Sequence, residues 1–380
     1  MVLHQTSAAC RERKMYVLEG LTHGSRSLKI NDPNITTLKT ALLTRMYYCD
    51  VGGTFVEPPQ PRRDTVNNTL KQYQKLLYKF NGRATTISAE QFVDMYRGRK
   101  HTIYNNALEE YFDGGPKRVH SRSIAFVKCE KVNPAKAPRC IQPRHPVYNI
   151  GLGRYLKHIE HQIYRSIDKI FGSPTVISGY NVVEIGQIAH DHWDHFNVPV
   201  AVGLDATKFD MHVNEALLRW EHSIYLNMYN GDPNLRRLLN WQVSNIGAGY
   251  CDDGWLTYAV KGRRFSGDMN TAMGNKLIMT ACVYSYARER GVDIRLMNNG
   301  DDCVVFMESG DLSRFNNGLE DWFLRLGLRM VAEPPVYELQ QVEFCQMRPI
   351  RVGGIWTMVR NIDTAREKDT ISIIPLSTEK

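Results

Sequence analysis

Leu296-Met297-Asn298-Asn299-Gly300-Asp301-Asp302-Cys303-Val304-Val305-Phe306 is the stretch on which the fold turns. Two apolar runs, residues 294–297 and 303–306, flank a tip of Asn, Gly and two aspartates. Each run suits a buried strand. Asn-Gly-Asp between them is a strong hairpin signal, because Gly300 accepts positive φ without steric cost. The hairpin therefore lifts two adjacent carboxylates to the end of a rigid apolar support. Carboxylates held together repel unless a cation lies between them, so a divalent metal is the natural reading. An Asp-rich surface turn would look the same in isolation. The remaining chain has to decide.

Working upstream, residues 198–204 form an almost continuous apolar run, the mark of a central strand buried on both faces. It ends in Asp205, and Asp210 follows. A carboxylate at the end of a buried strand needs a partner from elsewhere. Residues 214–229 read as a helix leading away from that point. Residues 230–263 carry Gly, Pro and Asn and read as an insertion, with a strand at 258–260. Next come Phe265-Ser266-Gly267-Asp268-Met269-Asn270 and a helix from about Thr271 to Arg288. Thr271 and Asn275 lie four residues apart and share one face of it. After the hairpin, residues 313–326 are helical in pattern, and 336–350 are strand-like with a turn near 347–349.

Before these elements lies a basic stripe: Lys117, Arg118, Arg122, Lys128, Lys131, Lys136, Arg139 and Arg144. It alternates with apolar residues at 124–128 and 139–141, which predicts strands with one basic face suited to phosphates. Further upstream, helices are expected over 68–80, from an N-cap at Ser88 with Gln91 at the third position, over 102–111, and over 155–170. Glu57 to Arg63 reads as an extended connector, and the first 65 residues are otherwise hard to read. His190, His192 and His195 have spacings seen at zinc sites but no Cys partner, so a solvated helix end is the preferred reading.

Bulk properties narrow the field. The net charge of +8 points to a polyanion, and 43% hydrophobic with 23% charged residues is an ordinary globular composition. No apolar run approaches the ~20 residues of a spanning helix, and no secretory pattern opens the chain. The eight cysteines include no Cys-x-x-Cys pair, which argues against a structural zinc site or a disulfide framework.

Two acidic centres, a Ser-Gly loop leading into a Thr/Asn helix, and a basic stripe are together what nucleotidyl transfer by the two-metal route requires. Cations offset triphosphate charge, and small polar groups near the sugar can check for a 2′-hydroxyl.

At this point the residues resemble a family. Gly203-Leu204-Asp205-Ala206-Thr207-Lys208-Phe209-Asp210, then Ser266-Gly267-Asp268-Met269-Asn270-Thr271-Ala272-Met273-Gly274-Asn275, then Asn299-Gly300-Asp301-Asp302 look like motifs A, B and C of viral RNA-dependent RNA polymerases. Their form is closest to the tombusvirus and luteovirus group of plus-strand RNA viruses. Lys128-Cys129-Glu130-Lys131 with Ala137-Pro138-Arg139-Cys140-Ile141-Gln142-Pro143-Arg144 resembles that group's motif F, and Val342-Glu343-Phe344-Cys345-Gln346 its motif E. The resemblance covers about residues 95 to 350.

It implies an α+β right-hand fold with an antiparallel palm sheet flanked by helices. The N-terminal extension and fingers would occupy 1–195, the palm 196–235 and 263–350, a fingers insertion 236–262, and a short or truncated thumb 351–380. Asp205 and Asp301 would be the main ligands of two Mg²⁺ ions, for which Mn²⁺ can substitute, and Asp302 an accessory ligand. Asp210, Ser266, Gly267, Thr271 and Asn275 would surround the incoming nucleotide's ribose. Lys128, Lys131 and Arg139 would face its phosphates, and Phe344, Cys345 and Gln346 the primer end. The expected partners are template RNA, product strand, NTPs and an upstream viral replicase protein that supplies membrane attachment. The expected location is the host cytoplasm, at intracellular membranes through that partner.

One departure is visible. Val331 stands where the family often has a motif D lysine, and Arg329 is the nearest cation. Reverse transcriptases share the palm, but Asn299-Gly300 before the acidic pair and the Asp210/Asn275 combination favour ribonucleotides.

Overall fold

Val200, Ala201 and Val202 are fully buried or nearly so, as a strand covered on both faces requires. In the computed structural model, which describes residues 1–17 and 28–375, the strand Pro199–Ala206 lies inside an antiparallel four-stranded sheet. The order is Arg295–Asn299, Asp302–Glu308, Pro199–Ala206, Met330–Ala332. Alternation sends Val200, Val202, Leu204 and Val305 into the main core, with the helices Lys71–Asn81, Glu160–Phe171, Glu215–Met228 and Thr271–Arg290. Ala201, Val304 and Phe306 face a second core, built with the helix Val182–Asp194 and the hairpin Met347–Val352/Ile355–Arg360.

A separate five-stranded sheet has the order Val2–Gln5, Gly254–Lys261, Ser244–Cys251, Ser123–Val127, Cys140–Ile141. The pair Ser123–Val127 with Ser244–Cys251 is parallel and joins segments far apart in sequence. One face packs Ala125, Val127, Leu256 and Tyr258 against Leu38, Ala41 and Leu42 of the helix Ile35–Leu42.

The chain is thus α+β, as expected. Ser88 caps the helix Ala89–Asp94 with a complete capping box. The 214–229 and 271–288 helices appear as Glu215–Met228 and Thr271–Arg290. Other expectations need correction. Residues 313–326 break into Leu312–Asn316 and Leu319–Arg325, because Gly318 takes a left-handed conformation between them. The 68–80 helix is Lys71–Asn81, preceded by the short helix Thr65–Thr69. The 155–170 helix is Glu160–Phe171, and Tyr155 closes the preceding helix Pro146–Leu156. The 102–111 segment splits into Gly98–Asn105 and Leu108–Gly114. Residues 230–263 hold the helix Pro233–Val243 and a complete hairpin. Residues 336–350 are not one strand: Leu339–Gln341 is a 3-10 turn, and the strand begins at Met347.

Candidate active site

Register places the acids. Cys303 pairs with Leu204, so the next pair of positions along the two strands is Asp302 and Asp205. Asn299 pairs with Asp302, leaving Gly300 and Asp301 as a two-residue turn. Gly300 has φ +88°, the conformation such a turn needs at its first position. Buried Asn298 supports the turn through its side-chain amide, which donates to the Gly300 carbonyl at 2.7 Å.

Asp205, Asp210 and Asp301 line one cavity of about 640 Å³ together with Ser266, Lys131 and Arg139. The Asp301 carboxyl is pushed up to about 6, first by its withdrawal from water within the cleft, then by the charges of Asp210, Asp302 and Asp205. Burial also raises Asp302, and Asp205 adds to it. Among the described residues no Lys or Arg forms an ion pair with Asp205, Asp301 or Asp302. These are hard oxygen donors carrying uncompensated charge, a donor set that fits Mg²⁺ or Mn²⁺.

Within the same cavity, Asp210 is the hub of a polar cluster. The Ser266 hydroxyl donates to its Oδ2 at 2.5 Å, and the Asn275 amide to its Oδ1 at 3.2 Å. Arg264 Nε donates to Asn275 Oδ1 at 2.9 Å, so the amide has one orientation. Arg264 is itself fully buried against fully buried Glu221, which also accepts from Asn270 at 2.6 Å and from the Tyr225 hydroxyl at 2.8 Å. Nothing in the spacing singled out Glu221 or Arg264. Thr271 shares the helix face with Asn275 but turns its hydroxyl to the Phe265 and Asp268 carbonyls at 2.9 and 3.0 Å, closing the loop. Gly267 has φ +148°, and a Cβ there would sit 2.9 Å from the Gln142 backbone. The Gln142 amide donates to the Ser266 carbonyl at 3.0 Å.

The basic stripe differs from its expected form. The strand Ser123–Val127 presents Ile124 and Phe126 outward, so its open face is apolar, not basic. Arg144 is fully buried with Asp268, and its guanidinium also reaches the Ser121 carbonyl at 2.6 Å and Asn245 at 2.7 Å. Arg118 donates to the carbonyls of Trp241 and Ser244. These two cations hold the fold. Lys128 and Arg139 both pair with Glu130. Lys131 donates to the carbonyls of Lys368 and Ile371 at the end of the helix Ile362–Asp369. Arg45, Lys136 and Lys208 also line the cavity. Arg45 and Lys208 escaped notice because each stands apart from the other cations in the sequence.

Phe344 is buried in the second core, whereas Cys345 and Gln346 form a left-handed turn with φ +52° and +62°. That turn brings Cys345 Sγ to 3.5 Å from Asp302 Oδ2 and sets Gln346 on the cavity wall. Val331 pairs with Asp205 across the sheet, so no cation occupies that position; the Arg329 carbonyl accepts from Thr207.

The histidines at 190–195 do not converge. His192 is buried and bonds the Pro174 carbonyl at 2.8 Å, His190 lies on Trp356, and His195 faces Arg295. Among the described residues the group with metal-like proximity is Glu110, His120 and His145. Each ring accepts a backbone N–H at Nδ1, from Lys117 and Val147, and turns its Nε2 to Glu110, at 3.1 Å for His120 and 3.9 Å for His145. Both Nδ1 atoms are thus engaged by the backbone, and only His120 lies within hydrogen-bonding reach of Glu110.

Over its full length, residues 1–380, the chain matches the viral RNA-dependent RNA polymerase family. It belongs to that family. RNA-directed RNA polymerases of cucumber necrosis virus and turnip crinkle virus are each 40% identical to it, over 94% and 97% of this chain and 44% and 47% of their own lengths. That of melon necrotic spot virus is also 40% identical, over 96% of this chain and 46% of its own. The chain thus spans about half the length of these relatives. The likeness noted for residues 95 to 350 therefore reaches well beyond them, over 94% of this polymerase-family chain in the cucumber necrosis virus relative.

Proposed function

We propose that this chain carries the catalytic unit of a viral RNA-dependent RNA polymerase, transferring ribonucleoside monophosphates from NTPs to the 3′-hydroxyl of a growing RNA on an RNA template. One observation carries the reading: Asp205 and Asp301, from separate segments, face a single cavity between a polar Asp210–Ser266–Asn275 cluster and the cations Lys131 and Arg139. Asp205 and Asp301 would hold two Mg²⁺ ions, with Asp302 as accessory ligand; Mn²⁺ suits the same donors. Bound there, the ions would acidify the attacking hydroxyl and neutralise the leaving oxygens. Asp210, Ser266 and Asn275 offer donors and acceptors to a ribose 2′-hydroxyl. Gly267 lets the loop lie close to the Gln142 backbone, and Thr271 closes that loop. Lys128, Lys131 and Arg139 receive the phosphates once they exchange Glu130 and the Lys368 and Ile371 carbonyls for the ligand. Cys345 and Gln346 support the primer end, with Phe344 as their anchor. With Val331 in place of a lysine, the proton for pyrophosphate comes from water or from another cavity cation.

In this reading the four-stranded sheet is the palm, over 196–235 and 263–350. The five-stranded sheet joins 1–195 to 236–262 as fingers. Residues 351–380 belong to a short thumb, of which 376–380 lie outside the described residues. Among the described residues no helix is long and apolar enough to cross a membrane. Attachment to intracellular membranes of the host cytoplasm is assigned to a viral replicase partner.

The test is nucleotide incorporation on a defined RNA template, with and without primer, in Mg²⁺ and in EDTA. Metal-dependent, template-directed incorporation of ribonucleotides in preference to deoxynucleotides is expected. A folded chain that binds RNA but makes no product with any template or metal would sink the proposal.

A further inference from the structure

The five-stranded sheet has one covered face and one open face. On the open face a single row of side chains crosses every strand. Phe126 pairs with Ile141. One step beyond the Ala125–Gly249 pair, Phe126 neighbours Tyr250; Tyr250 pairs with Trp255, and Trp255 with His4. Phe126, Tyr250 and Trp255 are 48%, 64% and 39% exposed. The His4 and Trp255 rings stack at 5.7 Å. Neighbouring strands are spaced at about 4.8 Å, so the four rings from Phe126 to His4 span roughly 14 Å.

Its position matters as much as its composition. The Lys128 amide donates to the Arg139 carbonyl, so these two residues occupy the next outward positions of the same two strands. Arg139 lines the acidic cavity. The row therefore starts beside the cavity lip and leads away from it, and exposed Arg122 flanks the Phe126 end of the row from the other end of that strand. Exposed rings flanked by cations are the arrangement that takes single-stranded nucleic acid, because every base has a face to stack and every phosphate a charge to meet. A protein-docking face would carry the same rings but has no need for cations on either side of its Phe126 end or for continuity with the cavity.

We propose that this face binds single-stranded RNA by stacking bases on Phe126, Tyr250 and Trp255. Identifying that strand as the incoming template rests on the function proposed above; the stacking itself does not.

The probe is a fluorescent single-stranded RNA of about 15 nucleotides, read by anisotropy with the full chain in EDTA, where synthesis is silent. Phe126→Ala, Tyr250→Ala and Trp255→Ala should each weaken binding by about tenfold. Tyr250→Phe should retain it. The salt dependence of the ring variants should match wild type, while Arg122→Ala should make it shallower. Ring variants with wild-type circular dichroism and unchanged RNA affinity would overturn the proposal. So would loss of a co-purifying protein with RNA binding intact. If the wild type proves inactive yet the ring variants still lose RNA, the platform stands and the polymerase reading falls.

Discussion

The acidic end of the four-stranded sheet and the basic loop beside the five-stranded sheet face the same cavity, yet they are balanced in opposite ways. Among the described residues Asp205, Asp301 and Asp302 crowd one another with no Lys or Arg ion-paired to them, and Asp301 is held up to about 6 as a result of burial and its neighbours. Lys128, Lys131 and Arg139 are all engaged within the chain, by Glu130 and by two backbone carbonyls. The difference separates two kinds of site. Charge left uncompensated at the end of a rigid sheet is a standing demand for a ligand. Charge satisfied by nearby groups on loops must be released before it can serve one.

The sharpest break in that contrast is to remove charge from the uncompensated side. Asp301→Asn should lower nucleotide incorporation by a factor of about 10³ or more, with RNA affinity in EDTA unchanged. Retained synthesis would mean that the crowding of these acids has no catalytic purpose.

Next in size is the buried pair behind the Asp210–Ser266–Asn275 cluster. Glu221→Gln leaves the Arg264 charge uncompensated in a fully buried position and should cost about 3–5 kcal/mol in urea unfolding. Joining Glu221→Leu with Arg264→Met should recover much of that stability, yet leave Asn275 unoriented and discrimination between ribo- and deoxynucleotides weakened. A double variant with intact discrimination would show that the pair serves stability alone.

Acid sharpens the contrast from a third side. His192, His212 and His222 are held down to about 4, each chiefly by burial, against an ordinary 6.5. The unfolded chain therefore gains protons below about 6.5 that the folded chain refuses until about 4. Stability should be full above that window and fall as pH drops through it, with a slope approaching three protons from these groups. His222→Gln should flatten the slope by about one proton in pH-dependent unfolding.

The smallest effect belongs to the satisfied side. Glu130→Gln releases Lys128 and Arg139, which are partly exposed. Stability should change by no more than about 1 kcal/mol, while KM for nucleotides falls about two- to threefold with a steeper salt dependence. A higher KM would show that Glu130 aims these cations rather than restraining them.

Much of this was legible in the sequence. The buried strand ending at Asp205, the Gly300 turn and the helix from Thr271 announce themselves through apolar runs and turn residues close together in the chain. The alternation around 124–128 was misleading because it marks a sheet edge-to-edge correctly but cannot say which face is covered. The helix Ile35–Leu42 takes the face of Ala125 and Val127, and it lies far upstream. Glu221 gave no signal either. A lone carboxylate on a helix reads as solvent-exposed until Arg264 arrives from another segment. The satisfaction of Lys131 was out of reach for the same reason, since its partners are carbonyls, which no sequence pattern distinguishes.

The contact between Gly267 and the Gln142 backbone has a mechanical meaning. With the Gln142 amide fastened to the Ser266 carbonyl, the loop bearing Ser266 and the strand end that follows Arg139 cannot slide independently. They form a single lever with a hydroxyl at one tip and a guanidinium at the other. With the sugar at the Ser266 tip and the phosphates at the Arg139 tip, as proposed above, tolerance for an altered sugar and grip on the phosphates should change together in a variant that loosens this joint.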